Sequence, residues 1–172
     1  MPGPVFREGE TVSLRAIEPS DHAYLATQAN RRDVRRMTNG QEPWSHDGKE
    51  AFLDDDDVVG FLLSRDGERV GFCWLFFREE VHGRAAIGYW VDPDARREGV
   101  ATAAVSLLKA YAVDELRLRK LHARVFEGND ASASVLESNG FENVGRLHEH
   151  YLVDGAYLDA RLYEWLSPAR SE

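Results

Sequence analysis

The sequence predicts an α+β domain with a mostly antiparallel sheet. β-rich runs are joined by Asp66-Gly67 and again by Asp154-Gly155, dipeptides that supply the positive φ of tight hairpins. Between Arg84 and Phe126 a strand, a long amphipathic helix and another strand follow in turn; this is the order of a βαβ crossover, so those two strands should run parallel. The chain has 172 residues, 43% of them hydrophobic and 30% charged, which suits one globular domain that closes its own core. Residues 1–172 are read as that domain, with a core from about 11 to 165.

Thr11 to Ala16 alternates apolar and polar residues and is predicted as the first strand. Pro19-Ser20-Asp21 has the character of a helix start and leads into His22 to Ala29. Arg31 to Gly40 is polar and gives no clear period, while Ser45 is suited to cap a short helix running to Asp54. Val58 to Ser64, Arg69 to Phe77 and, after Gly83, Arg84 to Val91 are predicted as three antiparallel strands. Ala101 to Leu116 sets Ala104, Val105, Leu108, Tyr111 and Ala112 on one helical face. Leu121 to Phe126 is the next strand, and Ala131 to Ser138 is a shorter helix stopped by Asn139-Gly140. Glu142 to Leu152 then pairs with Ala156 to Trp165.

Composition excludes several classes of function. Cys73 is the only cysteine, so no intrachain disulfide forms and a thiolate zinc site has no basis; Cys73 reads as a small buried hydrophobe. The opening Met1 to Arg7 lacks a basic segment followed by an apolar one, and no apolar run reaches membrane-spanning length, so a soluble cytoplasmic protein away from membranes is expected. Net charge is -9 and Asp54 to Asp57 is an acidic run, which repels phosphate backbones, argues against a nucleic-acid partner and favours basic substrates. The only lysines are Lys49, Lys109 and Lys120; an acidic, lysine-poor surface fits a high-salt cytoplasm or a GC-rich genome equally.

The segment Asp92 to Thr102 lies between a strand end and the start of the longest helix. A helix N-terminus exposes unpaired N–H groups and about half a positive charge, so a small-residue turn there can wrap a pyrophosphate. Gly99 and Ala101 leave room for that approach, and Arg96 and Arg97 reverse the acidic field locally. The run has neither the Gly-Lys-Ser/Thr ending of a P-loop nor the glycine spacing of a dinucleotide site.

Ile87-Gly88-Tyr89-Trp90-Val91-Asp92-Pro93, followed by Arg96-x-x-Gly99-x-Ala101, resembles the acetyl-CoA motif of the GNAT superfamily of N-acetyltransferases. Asn129-Asp130-Ala131-Ser132, Glu137 to Phe141, Gly145-Arg146-Leu147 and Gly155 to Asp159 resemble its RimJ/RimL-like, ribosomal-protein branch. The resemblance spans roughly Thr11 to Trp165 and implies the GNAT fold, with helices flanking the sheet and the parallel strands splayed apart. It further implies pantetheine lying beside the first of them, with main-chain contacts at Trp90 and Val91. Arg96, Arg97, Glu98, Gly99, Val100, Ala101 and Thr102 would wrap the pyrophosphate, while Asn129 and Ser132 would face the thioester end.

The implied activity is acetyl transfer from acetyl-CoA to a primary amine, either a protein N-terminal α-amine or a small molecule, by direct attack in a ternary complex. An α-amine costs about 1 kcal/mol to deprotonate at pH 7 and a lysine about 4.6 kcal/mol, so an α-amine manages with a weaker base. Where many relatives carry a glutamate, this chain has Ala85-Ala86-Ile87; the candidate bases are His148, Glu149, His150 and Tyr151, with Glu149 and His150 carried forward. His148 and His150 also read as a solvated pair, and no third ligand makes them a metal site. The relatives' acidic tyrosine is replaced by Leu136, which leaves Ser132 either to protonate the leaving thiolate or to cap a helix. Trp44 and the early helices are candidates for the acceptor groove. The alternative reading is a non-catalytic acyl-CoA-binding module, and a homodimer is left open.

Overall fold

The structure, a computed structural model, describes residues 1–45 and 50–168. In chain order it contains β1 (Val5–Arg7), β2 (Ser13–Arg15), α1 (His22–Ala29), α2 (Arg32–Thr38), α3 (Glu50–Leu53), β3 (Val59–Arg65), β4 (Glu68–Glu79), β5 (Arg84–Val91), α4 (Val100–Asp114), β6 (Lys120–Phe126), α5 (Asp130–Ser138), β7 (Glu142–Val153) and β8 (Ala156–Leu166). Among the described residues the strands form one sheet in the order β1-β2-β3-β4-β5-β6-β8-β7. Every neighbouring pair is antiparallel except β5 with β6, the pair joined by the α4 crossover.

Both predicted hairpins form. Asp66 (φ 52°) and Gly67 (φ 82°), like Asp154 (φ 50°) and Gly155 (φ 82°), take the left-handed backbone that matches the twist of the flanking strands. The predicted apolar face of α4 is buried as a unit, with Ala104, Val105, Leu108 and Ala112 within the core and Tyr111 at its margin. Cys73 is wholly buried in the same core, where burial pushes its thiol up and keeps it protonated.

Three parts of the early chain differ from expectation. The predicted first strand shrinks to Ser13–Arg15, and Val5–Arg7 pairs with it as a strand the sequence did not suggest. Phe6 holds that short strand down by stacking on Phe61 at 5.1 Å and meeting the edge of Tyr111 at 5.4 Å. The polar stretch after Arg31 forms α2, in which Val34 is the buried residue and Asn39 closes the end at φ 57°. The helix expected from Ser45 to Asp54 is present over Glu50–Leu53; its expected beginning falls on residues 46–49, outside the described residues.

The sheet is covered on both faces. α4 and α5 lie over the larger core, which includes Leu63, Leu75, Ile87, Leu121 and Val125. α1 and α2 cover a smaller aromatic cluster of Leu25, Val34, Leu62, Phe72 and Trp90. α1 is anchored by Asp21, a fully buried carboxylate that accepts Arg69 Nε at 2.8 Å and the Glu18 N–H at 2.9 Å. Among the described residues no helix is long and apolar enough to cross a membrane. Because removing one partner strands a buried charge, Arg69→Met is expected to cost about 3 kcal/mol, read as a lower urea midpoint at unchanged slope.

Candidate active site

β5 and β6 begin side by side and then part. Their pairing holds at Arg84↔Lys120, Ala85↔Leu121 and Ala86↔His122 and stops there, while β6 continues paired to β8 through Phe126. The Asp92 N–H donates to Val70 O at 2.9 Å, which makes Val91↔Gly71 a pair whose own N–H and C=O face away from β4. By alternation the peptide groups of Tyr89 and Val91 and the carbonyl of Ile87 point into the gap, the Ile87 N–H being taken by the last β5–β6 pair, and those of Gly88 and Trp90 point into the β4 ladder. Of the two main-chain contacts expected at Trp90 and Val91, only Val91 therefore offers one, and its carbonyl already accepts Arg96 Nε at 3.0 Å. The Trp90 side chain lines the cleft from the α1 and α2 face.

The gap opens into a cleft of about 820 Å³ that reaches both faces of the sheet. At its mouth Arg97 (φ 63°) and Gly99 (φ 77°) turn the chain through left-handed backbone into α4. The first bond of that helix runs from the Ala103 N–H to Gly99 O at 3.0 Å, and no side chain caps the end. The N–H groups of Val100, Ala101 and Thr102, all residues of the cleft wall, are left open.

The two expected arginines divide the work. Arg96 is tied to Val91 O and to Asp33 of α2, at 2.8 Å, and so braces the loop between two elements. Arg97 lines the cleft and, among the described residues, makes no ion pair, which leaves a free cation beside the open amides. Glu98, expected with them, turns its carboxylate to Arg65 outside the cleft wall.

Further in, Asn129 and Ser132 both line the cleft, and Asn129 Oδ1 accepts the Ser132 N–H at 3.3 Å. Asn129 is thus the cap of α5, and the capping role weighed for Ser132 belongs to it. Ser132 Oγ is instead 2.7 Å from the hydroxyl of Tyr89, which also lies 3.2 Å from Ser132 O. Burial pushes the Tyr89 phenol up to about 12, so it stays a proton donor. Tyr89 packs against the α4 and α5 core, and its partner on α5 had no sequence signal. Leu136 is fully buried and plays no part in the cleft.

On the opposite face the wall is aromatic, with Phe52, Trp74, Phe76 and Phe77 beside Trp90. Gly88 is required here: a Cβ on it would stand 2.3 Å from Trp74 Cζ2. Trp44 sits one layer back, packed on Phe52 at 5.6 Å, rather than in the wall itself. His122 and Arg124 reach the cleft from β6 on this same face.

The candidate bases on β7 lie elsewhere. A bulge between Leu147 and Tyr151 is centred on Glu149 (φ 46°), whose N–H donates to Asp159 Oδ1 at 2.7 Å. The bulge breaks strand alternation, so Tyr151, stacked on Phe126 at 4.0 Å, enters the wall while Glu149 and His150 stay exposed outside it. His148 is 81% exposed and faces Asp159. Among the described residues no group of three His, Cys, Asp or Glu side chains is placed to hold a metal.

The acetyltransferase (GNAT) domain family matches residues 11–142. The chain belongs to that family. This GNAT acetyltransferase is 30% identical over 168 residues to a putative ribosomal N-acetyltransferase, YdaF, of Bacillus subtilis, covering 91% of this chain and 92% of that one. It is 21% identical to the spermidine N(1)-acetyltransferase of Vibrio cholerae, over 87% of this chain and 90% of that one. Among solved structures, a probable acetyltransferase shares 28% identity at a TM-score of 0.79, covering 92% of this chain and 94% of that one. RimL, a ribosomal L7/L12 α-N-protein acetyltransferase in complex with coenzyme A, shares the fold at a TM-score of 0.83 and 21% identity, over 95% and 98% of the two chains. In this acetyltransferase, Gly88→Ala must displace the Trp74 indole, and is expected to cost about 1–3 kcal/mol and to alter tryptophan fluorescence.

Proposed function

We propose that the chain transfers the acetyl group of acetyl-CoA to a neutral or acidic primary amine, a protein N-terminal α-amine or a small molecule of like charge. The observation that carries this reading is the position of the cleft. It begins at three uncapped helix amides and Arg97, passes between strand edges that have no neighbour in the sheet, and emerges in the aromatic wall on the other face. The open amides and Arg97 suit a diphosphate, and the free peptide groups of Tyr89 and Val91 suit the amides of a pantetheine arm. Ser132, with Tyr89 behind it, suits the sulfur end, where its hydroxyl donates to the leaving thiolate.

The acceptor then enters from the α1 and α2 face and attacks the thioester directly, with no acyl-enzyme. Local charge in this wall runs against the acidic net charge. Asp33 is the only carboxylate among the described lining residues, and it is paired with Arg96 and Arg31, while Arg124 stands in the wall as a cation. That lining disfavours polycations, although the chain as a whole, at -9, favours basic partners.

An amine panel tests the reading. With acetyl-CoA, release of free coenzyme A is expected with alanyl-phenylalanine amide or phenylethylamine in preference to spermidine. Cofactor binding with no turnover on any of the three would favour a binding module instead. Arg97→Ala is expected to raise the KM for acetyl-CoA about tenfold by removing a charge-assisted contact, with kcat and melting temperature little changed. Ser132→Ala is expected to lower kcat while leaving that KM in place, read in the same steady-state assay.

A further inference from the structure

Resting on that reading, we propose that the His122 imidazole is the general base that removes the proton from the attacking amine. His122 is the last β6 residue paired to β5, so it stands at the apex where the two strands part and where the cleft crosses the sheet. Its neighbours Leu121, Ala123 and Val125 point into the α4 and α5 core, so His122 points to the other face, the one on which the aromatic wall receives the acceptor. It lies directly across from Ala86, within the stretch where the expected glutamate is missing.

The other titratable groups in the wall are unsuited. Asp33 is ion-paired at the diphosphate end, Tyr89 is a high-pKa phenol bonded to Ser132, and Tyr151 is a phenol stacked on Phe126. Among the described residues, the His122 side chain makes no hydrogen bond, and its ring lines the cleft. Burial lowers the basicity of His122, and the cations Arg124, Lys120 and Arg84 add to this while Glu164 opposes it; Glu79 also faces the ring from β4. Lys120 is paired with Glu164, and Arg84 with Glu79, which leaves Arg124 as the uncompensated charge. The imidazole is therefore neutral at pH 7, and the same Arg124 favours the neutral form of an incoming amine.

In the step, the amine nitrogen forms a bond to the thioester carbon and the C–S bond breaks. One amine proton passes to His122, the sulfur takes one from the Ser132 hydroxyl, and that hydroxyl is restored by a proton from solvent when His122 releases its own. The net products are an amide and a free thiol.

The test is the pH dependence of kcat/KM for alanyl-phenylalanine amide, in the wild type and in His122→Gln. In the wild type the logarithmic slope is expected to steepen from about one, set by the amine, to about two below the lowered His122 pKa, and the variant should keep a slope of about one throughout. At pH 7 the variant should be about 100-fold slower, with its acetyl-CoA-induced rise in melting temperature intact. A variant with the wild-type profile and rate overturns the assignment and leaves acetyl transfer standing. A wild-type protein that binds acetyl-CoA but acetylates none of the three amines overturns transfer, and the base with it. If His122→Gln does not fold, His122→Asn is read by the same criteria.

Discussion

Among the described residues the amides of Val100, Ala101 and Thr102 have no partner, and the rest of the site is arranged around that fact. A buried polar group left unsatisfied costs about 1–3 kcal/mol, so folds ordinarily close helix starts with a side chain. This chain does so at two places, where Asn129 caps α5 and the turn into α1 is closed by a reciprocal Glu18–Asp21 pair, while α2 starts, like α4, without a side-chain cap. At α4, the longest helix, the cap position is Gly99 in left-handed backbone, which brings in no side-chain acceptor. The open end, with Arg97 beside it, forms a local positive field in an acidic protein, which suits the anion that the proposed reading brings there.

The sheet extends the same logic. A strand edge inside a sheet is normally paired, and β5 is unpaired on one side only where β6 leaves it. Helix end, strand edge and cleft are thus continuous, and in the proposed reading they admit a long polar chain from the α4 and α5 side and present its far end to the other face. The close approach of Trp74 to Gly88 shapes the exit, and the braced Arg96 holds α2 and the end of β5 in fixed relation.

Most of the fold was legible because strong local signals agreed with it. Asp66-Gly67 and Asp154-Gly155 can hardly be anything but turns, and the spacing from Ala104 to Ala112 has one apolar face. β1 and α2 were not legible, since each rests on about one anchoring residue, Phe6 or Val34, whose partners are distant in sequence. The site divides similarly. Arg97 and the α4 amides follow from a strand-loop-helix order, but Glu98 depends on Arg65, thirty-odd residues earlier, which no local pattern reveals. Glu149 and His150 lie outside the cleft wall because of a bulge in β7, which no local pattern announces. His122 and Arg124, which also line the cleft, are the polar residues out of phase with Leu121, Ala123 and Val125, but only the pairing of His122 with Ala86 shows where it stands.

Amide NMR of the isotopically labelled protein during titration with coenzyme A tests the central claim most directly. The Val100, Ala101 and Thr102 N–H resonances should move downfield on addition of coenzyme A or its 3′-dephospho form, and stay in place with pantetheine, which lacks the diphosphate. Saturable coenzyme A binding that leaves those three amides unmoved would contradict the account.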